Sequence, residues 1–189
     1  MIPKLEGIIK NQSIYNDTIR KLNETIQEEI KKNEYLMNNI LSAINNQLQN
    51  ISDYLQQIDL NGNLIIPILY SDYFTDEKNN NNKLTDLSFY AKIQIYKSNL
   101  NKASFDIIAK NVMGERPIWS NYNLAYKLSP NDEIHKIFMM IWLNTYNCFI
   151  NDLSEEIQKL FEANITNLNL QKEHIIEQNK KLLKINNNI

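Results

Sequence analysis

Seven apolar residues, Met37, Leu41, Ile44, Leu48, Ile51, Leu55 and Ile58, alternate steps of four and three. An α-helix puts such a series on one stripe, which is either a coiled-coil seam or the core face of a helical hairpin. Tyr15, Ile19, Leu22, Ile26 and Ile30 carry the stripe upstream, with two successive four-residue steps around Ile26. A stutter of that kind unwinds a supercoil locally without ending the helix. The pattern predicts one helix from about Pro3 to Leu60, stopped at Asp59-Leu60-Asn61-Gly62-Asn63 by residues suited to the left-handed position past a last turn. Its length of about 80 Å exceeds what a small globule covers.

A second long helix is expected from Ser129 to about Leu183. In Ser129-Pro130-Asn131-Asp132, Ser can cap, Pro fits the first helical position and Asp suits the positive end of the helix dipole. From Ile134 to Phe149 the sequence is apolar nearly all round, a pattern that predicts cover on most sides. The stripe then thins to Ile150, Leu153, Ile157, Leu160, Phe161, Ile165 and Leu168. Beyond it Ile175, Leu182 and Ile189 recur every seven residues, with Lys172, Asn179 and Asn186 between them on the seam.

The 70 or so residues between the helices have a different texture. Leu64 to Tyr70 is a short apolar run whose Pro67 suits an edge strand. Asp76 to Lys83 reads as a polar loop. Phe89, Ala91, Ile93 and Ile95 alternate with Tyr90, Lys92, Gln94 and Tyr96, a strand with one buried face. Lys102 to Lys110 fits a returning strand, or a short helix with Leu100, Ala103 and Ile107 on one face. After a break at Gly114 to Pro117, Tyr122, Leu124, Tyr126 and Leu128 alternate as a last strand.

The expected fold is therefore α+β and predominantly helical: two long antiparallel coiled-coil-like helices, packing 37–58 against 137–160, flank a small antiparallel β meander. The segments are an N-terminal helix (1–60), a β-rich insert (61–128) and a C-terminal helix (129–189), together one elongated domain. This helix, β, helix layout resembles the organisation of prefoldin subunits, whose helices grip clients at their free ends. The likeness is one of layout, carried by no residue motif, and the insert here is longer.

Composition excludes more than it identifies. With 43% hydrophobic residues the chain can bury a core. Its 31 Asn, 29 Ile and 18 Lys against two Arg, Arg20 and Arg116, follow an AT-rich coding bias that suits a viral or mobile-element accessory as well as a host protein. A net charge of −2 with so little Arg argues against base readout on duplex DNA. No secretory signal is expected, and the apolar run Ile137 to Ile150 is too short to span a membrane. Five N-x-S/T sequons, at Asn11, Asn16, Asn23, Asn50 and Asn164, fall in predicted helices and arise by chance in so Asn-rich a chain. The lone Cys148 sits in an apolar run and reads as a buried core thiol, in keeping with a reducing, cytoplasmic setting.

No catalytic residue, metal site or cofactor is expected. Asp132 with His135, and His174 with Glu177, have the i,i+3 spacing found in metal sites but lie too far apart to share an ion. Asp72, Asp76 and Glu77 lack the Gly-turned ligand series of a calcium loop. Three glycines in all leave no phosphate-cradling loop. What remains is suited to binding. Tyr70, Tyr73 and Phe74 precede the Asn run, and Arg116, Trp119 and Tyr122 follow Gly114; these residue types dominate interface hot spots, although Trp119 and the tyrosines equally suit the core of the small sheet. Tyr15, Ile19, Leu22, Ile26, Leu168, Ile175 and Leu182 form the expected oligomerisation seam. The function expected is a non-catalytic protein–protein interaction protein: an oligomerising adaptor, a chaperone-like clamp or an inhibitor, with a protein partner or a second copy of itself. The alternative is nucleic-acid or nucleotide binding through the aromatic insert and the Lys-rich C-terminal helix.

Overall fold

The computed structural model describes residues 3–70, 87–97 and 102–189, with the side chains of Leu69 and Tyr70 left aside. The chain divides into two compact units, Met1–Ala43 and Ile44–Ile189. In the first unit α1 (Pro3–Lys10) is followed, across a turn at Asn11, by α2 (Gln12–Leu55), whose last turns belong to the second unit. The helix expected from Pro3 to Leu60 is thus two helices and ends at Leu55. The amides of Gln57 and Ile58 bond to Tyr54 and Leu55 carbonyls in a last tight turn, and Leu60 is buried.

The second unit holds an antiparallel sheet in the order β1 (Gly62–Tyr70), β2 (Ser88–Tyr96), β3 (Lys102–Asn111) and β4 (Gly114–Ser120), then α3 (Glu133–Asn186). The fold class is α+β and predominantly helical, as the sequence indicates. Residues 102–111 are a strand paired along its whole length with β2, which decides between the two readings of that stretch. Pro67 sits in the edge strand β1, at a register shift between Pro67 and Leu69, where its missing N–H costs least. The last strand, by contrast, is not the alternating tyrosine stretch. Arg116-Pro117-Ile118-Trp119 pairs with β3 as β4, and Tyr122, Leu124 and Tyr126 are exposed in the following loop. Pro117 at a register shift on the far edge is tolerated for the same reason as Pro67.

Alternation gives the sheet one apolar face. Leu64, Ile66, Ile68, Phe89, Ala91, Ile93, Ile95, Phe105 and Ile107 are buried, and their neighbours Ile65, Lys92 and Lys110 are exposed. The last turns of α2 cover this face with Ile44, Leu48, Ile51 and Leu55, and the first half of α3 with Phe138, Trp142, Phe149 and Leu153. Phe138 lies 5.4 Å from Phe89, ring centre to ring centre, and Phe149 lies 6.4 Å from Phe105.

These contacts fix helix direction. Along α3, Phe138 meets Phe89 at one end of the sheet, whereas Leu160 lies by Gly62 at the other, so close that a Cβ on Gly62 would stand 2.6 Å from Leu160 Cδ1. Along α2, Gln47 accepts the indole N–H of Trp142 (2.9 Å), and Gln56 reaches Ala103, which is paired with Ile95 at the Gly62 end. Within the second unit, the two helices therefore cross the sheet in the same sense and not as the expected antiparallel pair. The loop before α3 accounts for this: the four-stranded meander returns the chain to the level of Asp106, toward the end where α2 stopped, and the loop carries it back to Arg116, so α3 starts at the end from which α2 approached.

A polar clamp closes the α2 end of the sheet. Gln56 Nε2 donates to the Ala103 carbonyl (2.7 Å), and the Ala103 amide donates to Gln56 Oε1 (2.8 Å). Asn121 Nδ2 donates to Ser52 Oγ and to the Ala103 carbonyl, both at 2.8 Å, while Asn121 Oδ1 accepts from the Phe105 amide at 2.9 Å. Two side chains thus replace the ladder that β4 abandons at Ser120. Asn121→Ala is expected to cost about 2 kcal/mol, because it leaves the Phe105 amide of β3 and the Ser52 hydroxyl without the partner Asn121 supplies. Tyr122→Ala, one residue along and exposed, should stay within about 0.5 kcal/mol. Urea midpoints at equal m-value check both, and equal costs would refute the clamp.

Candidate functional site

Among the described residues, two apolar stripes have no cover in the unit that carries them. In the first unit Tyr15, Ile19, Leu22 and Ile26 are each more than half exposed, and Leu5, Ile8 and Ile9 extend the pattern into α1. In the second unit the α3 stripe changes character after Leu160: Leu168, Ile175 and Leu182 are again more than half exposed, with Ile165, Ile176, Leu183 and Ile185 beside them. The same periodicity over Ile44 to Leu55 lies at 4% exposure or less, because there a sheet lies beneath the helix.

Charge sits away from the first stripe. Arg20 bridges Asp17 and Glu24 at 2.8 Å each, and Lys21 bridges Asp17 at 3.0 Å. At 100° per residue these four lie opposite Ile19 and Leu22, whose flanks are Asn16, Thr18, Asn23 and Thr25. The Asp17 carboxyl is held below its ordinary value chiefly by the Arg20 hydrogen bond and then by that of Lys21. Such exposed pairs contribute little to stability, but they leave this face self-satisfied and the apolar one without a partner.

The aromatic residues of the insert are dispersed. Trp119 is a core residue, edge-on to Phe105 at 5.3 Å and capped by Lys127, whose Nζ lies 4.9 Å over the indole and donates to the Ser120 carbonyl. It offers no surface to a partner, because β4 runs one strand earlier than the tyrosine alternation implies. Tyr122 is exposed. Arg116 is exposed and spans both carboxylate oxygens of Asp132 at 3.1 and 3.2 Å. Tyr73 and Phe74 lie outside the described residues, as do Asp72, Asp76 and Glu77. The structure therefore does not gather Arg116, Trp119 and Tyr122 into one binding surface.

Two expectations for α3 need correction. Cys148 is exposed, not a buried core thiol. Met140 and Leu143 are likewise at least half exposed, so the helix is covered on one side and not on most. Residues 137, 138, 139, 141, 142, 145, 149 and 153 are buried, and the helical period turns 140 and 143 outward; Cys148 follows Ile141 by two turns on the same side yet is exposed. Sequence hydrophobicity exceeded the cover that one sheet face supplies.

Asp132, not Ser129, caps α3. Its carboxylate accepts from the Ile134 and His135 amides at 2.9 and 3.2 Å. Burial opposes its ionisation, but the His135 amide, His135 itself and Arg116 outweigh burial and hold the carboxyl below its usual range. Next to it, His135 Nδ1 accepts the Ser129 amide at 2.8 Å and so carries no proton. Burial lowers the His135 pKa from 6.5, against the pull of Asp132 and with a small push from Arg116.

On the uncovered face of the sheet, Tyr90 donates to Glu115 at 2.7 Å, and Tyr96 donates to Gln94 at 2.6 Å. Burial, then the Glu115 hydrogen bond and charge, push the Tyr90 phenol up to about 12. Among the described residues no group of three His, Cys, Asp or Glu side chains is placed to hold a metal ion, and no helix is long and apolar enough to cross a membrane.

No family model matches the chain, and no curated protein or solved structure shows significant similarity to it. The prefoldin-like layout is thus a likeness of element order, and function has to be argued from the residues themselves.

The His135 bond gives a pH prediction. Its folded pKa lies below the unfolded value, so the unfolded chain takes up the proton first, and stability falls as pH drops below 6.5. His135→Asn keeps an acceptor without a titrating ring and should lose that part of the slope. Urea midpoints across this range decide, and an unchanged slope in the variant would rule out the role given to His135.

Proposed function

We propose that this chain is a non-catalytic interaction protein whose working surfaces are its two uncovered helical stripes. The observation that carries the reading is the environment of one periodic pattern. Where the stripe of α2 meets the sheet its residues are buried, and where the same spacing runs on through Ile26, Leu22 and Ile19 they are more than half exposed. Leaving such residues in water forgoes about 1.5 to 3 kcal/mol for each large aliphatic side chain that a partner would bury. Helical stripes of this kind take a partner helix, either from a second copy or from another protein. The function fitted by this arrangement is that of an oligomerising adaptor, a clamp or an inhibitor, with the sheet unit as a folded base.

Nucleic-acid binding is the second reading, favoured by one feature: the uncovered sheet face carries Tyr90 and Tyr96 among Lys92, Lys102 and Lys110. Asp106 and Glu115 share that face, and Lys110 is paired to Glu115 at 3.3 Å. That interleaving makes a weak electrostatic footprint for a phosphate backbone.

Light scattering on a size-exclusion peak tests the first reading. The full chain is expected to contain more than one copy per particle at tens of micromolar, or to gain a helical partner protein on mixing. Ile19→Asp with Leu22→Asp should weaken the contact made by the first stripe by at least about a hundredfold, from two buried aliphatic side chains lost. A monomer whose affinity for oligonucleotides falls steeply with salt would transfer the function to the second reading.

A further inference from the structure

Resting on the reading of the stripes as interaction surfaces, we infer that the end of α3, residues 161–189, pairs with the same segment of a second copy as a parallel, in-register two-stranded coiled coil. The argument starts from heptad position. With Leu168, Ile175, Leu182 and Ile189 at d, the a positions are Ile165, Lys172, Asn179 and Asn186. Apolar d with recurrent polar a is the arrangement that holds register and restricts the assembly to two strands, at a cost in stability. Asn179 and Asn186 supply both a donor and an acceptor, so in a parallel in-register pair each meets its own counterpart across the axis and both are satisfied. An antiparallel pair sets these amides against the apolar d residues, and a parallel pair shifted by one heptad keeps one Asn–Asn contact but sets the other Asn179 against Lys172 and leaves the other Asn186 past the last a position. Lys172 can run its aliphatic stem along the seam and hold its ammonium in water.

Charge selects the same partner. From Asn164 to Asn186 the a, d, e and g positions contain one charged residue, Lys172. Glu173, Glu177, Lys180, Lys181 and Lys184, with His174, all occupy b, c and f, on the far side of the helix. An interface to an oppositely charged protein would put charge at e and g, where partner choice is set. Here the flanks are Gln171, Ile176, Gln178, Leu183 and Ile185, so Lys172 opposite its own counterpart is the one like-charge contact between two identical helices over this stretch, and apolar flanks are buried as well. The surface has the shape for it: Asn179, Leu182, Leu183, Ile185, Asn186 and Ile189 line one shallow groove on the helix. Four of them, Asn179, Leu182, Leu183 and Asn186, are one a-d-e-a set, of the kind that receives a d-position knob from a facing helix.

The packing of the second unit is compatible with a separate partner for this segment. α3 passes Leu160 at the Gly62 end of the sheet, whereas α2 runs from the level of Trp142 toward Ala103, in the same sense. The unit therefore builds no antiparallel hairpin that would seat one helix on the other beyond Leu160.

Disulfide trapping on the full chain, with Cys148→Ser as background, tests orientation and register together. Leu182→Cys and, separately, Leu168→Cys are each expected to form a covalent dimer under mild oxidation, since like d positions face each other. Lys181→Cys, one residue away on the outer side, is expected to cross-link far less. Asn179→Leu should tighten association by at least about tenfold and loosen the two-copy stoichiometry, because the polar a position costs stability and enforces two strands. Particles of two or more copies in which neither d-position variant cross-links to itself would overturn the parallel register while leaving the interaction reading intact. A cross-link between Leu168→Cys and Leu182→Cys chains, absent in either alone, would overturn it in favour of an antiparallel pair. A chain that stays monomeric with helicity unchanged would overturn the self-pairing itself, and binding of a different helical protein to the stripes then decides the broader reading.

Discussion

Six aromatic rings run in unbroken contact through the second unit: Phe89 to Phe138, Phe138 to Trp142, Trp142 to Phe149, Phe149 to Phe105 and Phe105 to Trp119. Three of the six belong to the sheet and three to α3, so the series is the joint between layers. A four-stranded meander with one apolar face is not stable alone and must be covered. The joint determines how: α3 lies along β1 with its first turns at Phe89 and its rings reaching into β2 and β3, and α2 takes the remaining strip of the face, held by Gln47 on Trp142 and Gln56 on Ala103. Everything else in the second unit follows from that placement, including the common sense of the two helices and the point at which α3 runs out of sheet.

That point is where structure and function part company. Helical periodicity is a property of a helix face and does not record what lies beneath it. The series from Tyr15 to Leu55 changes from exposed to buried with helical spacing kept on both sides of the stutter at Ile26, and α3 makes the reverse change after Leu160. What differs is composition. The covered part of α3 has Phe138, Trp142 and Phe149 on its stripe, large side chains that fill the space above a sheet, whereas the uncovered part has aliphatic d residues and polar a residues sized for another helix.

Much of the fold was legible for this reason. The two long helices, the strand 89–96, the returning strand 102–110 and the edge position of Pro67 follow from local pattern and from the proline's missing donor. What was not legible depends on contacts distant in sequence. The tyrosine alternation from Tyr122 to Leu128 has a strand's period, but Pro117 tolerates the edge and the Ile118-Trp119 pair fills the core, so β4 forms before it. Ser129 and Asp132 both suit a helix start, and only the position of Arg116 on a neighbouring strand favours Asp132. Cys148 sits in an apolar run, yet nothing in the run says which side of the helix the sheet will take. Helix direction was misread because it depends on strand count and loop path, neither of which periodicity contains. Of the candidate site, the seam residues were legible as a stripe, while in the aromatic group Trp119 is in the core and Arg116 and Tyr122 are exposed.

The composition that obscures the chain's identity bears on how its free stripes behave. Asn is a poor helix former, because its side chain competes for nearby backbone groups. Residues 161–189 include Asn164, Asn167, Asn169, Asn179 and the run Asn186 to Asn188, with no Arg and no ion pair recorded among the described residues of that segment. A lone helix of this length and makeup is marginal in water, since most helical stability in proteins comes from packing an amphipathic face. Burial of the d residues against a partner supplies what propensity does not. On the proposed pairing, helix formation at the end of α3 and association become one equilibrium.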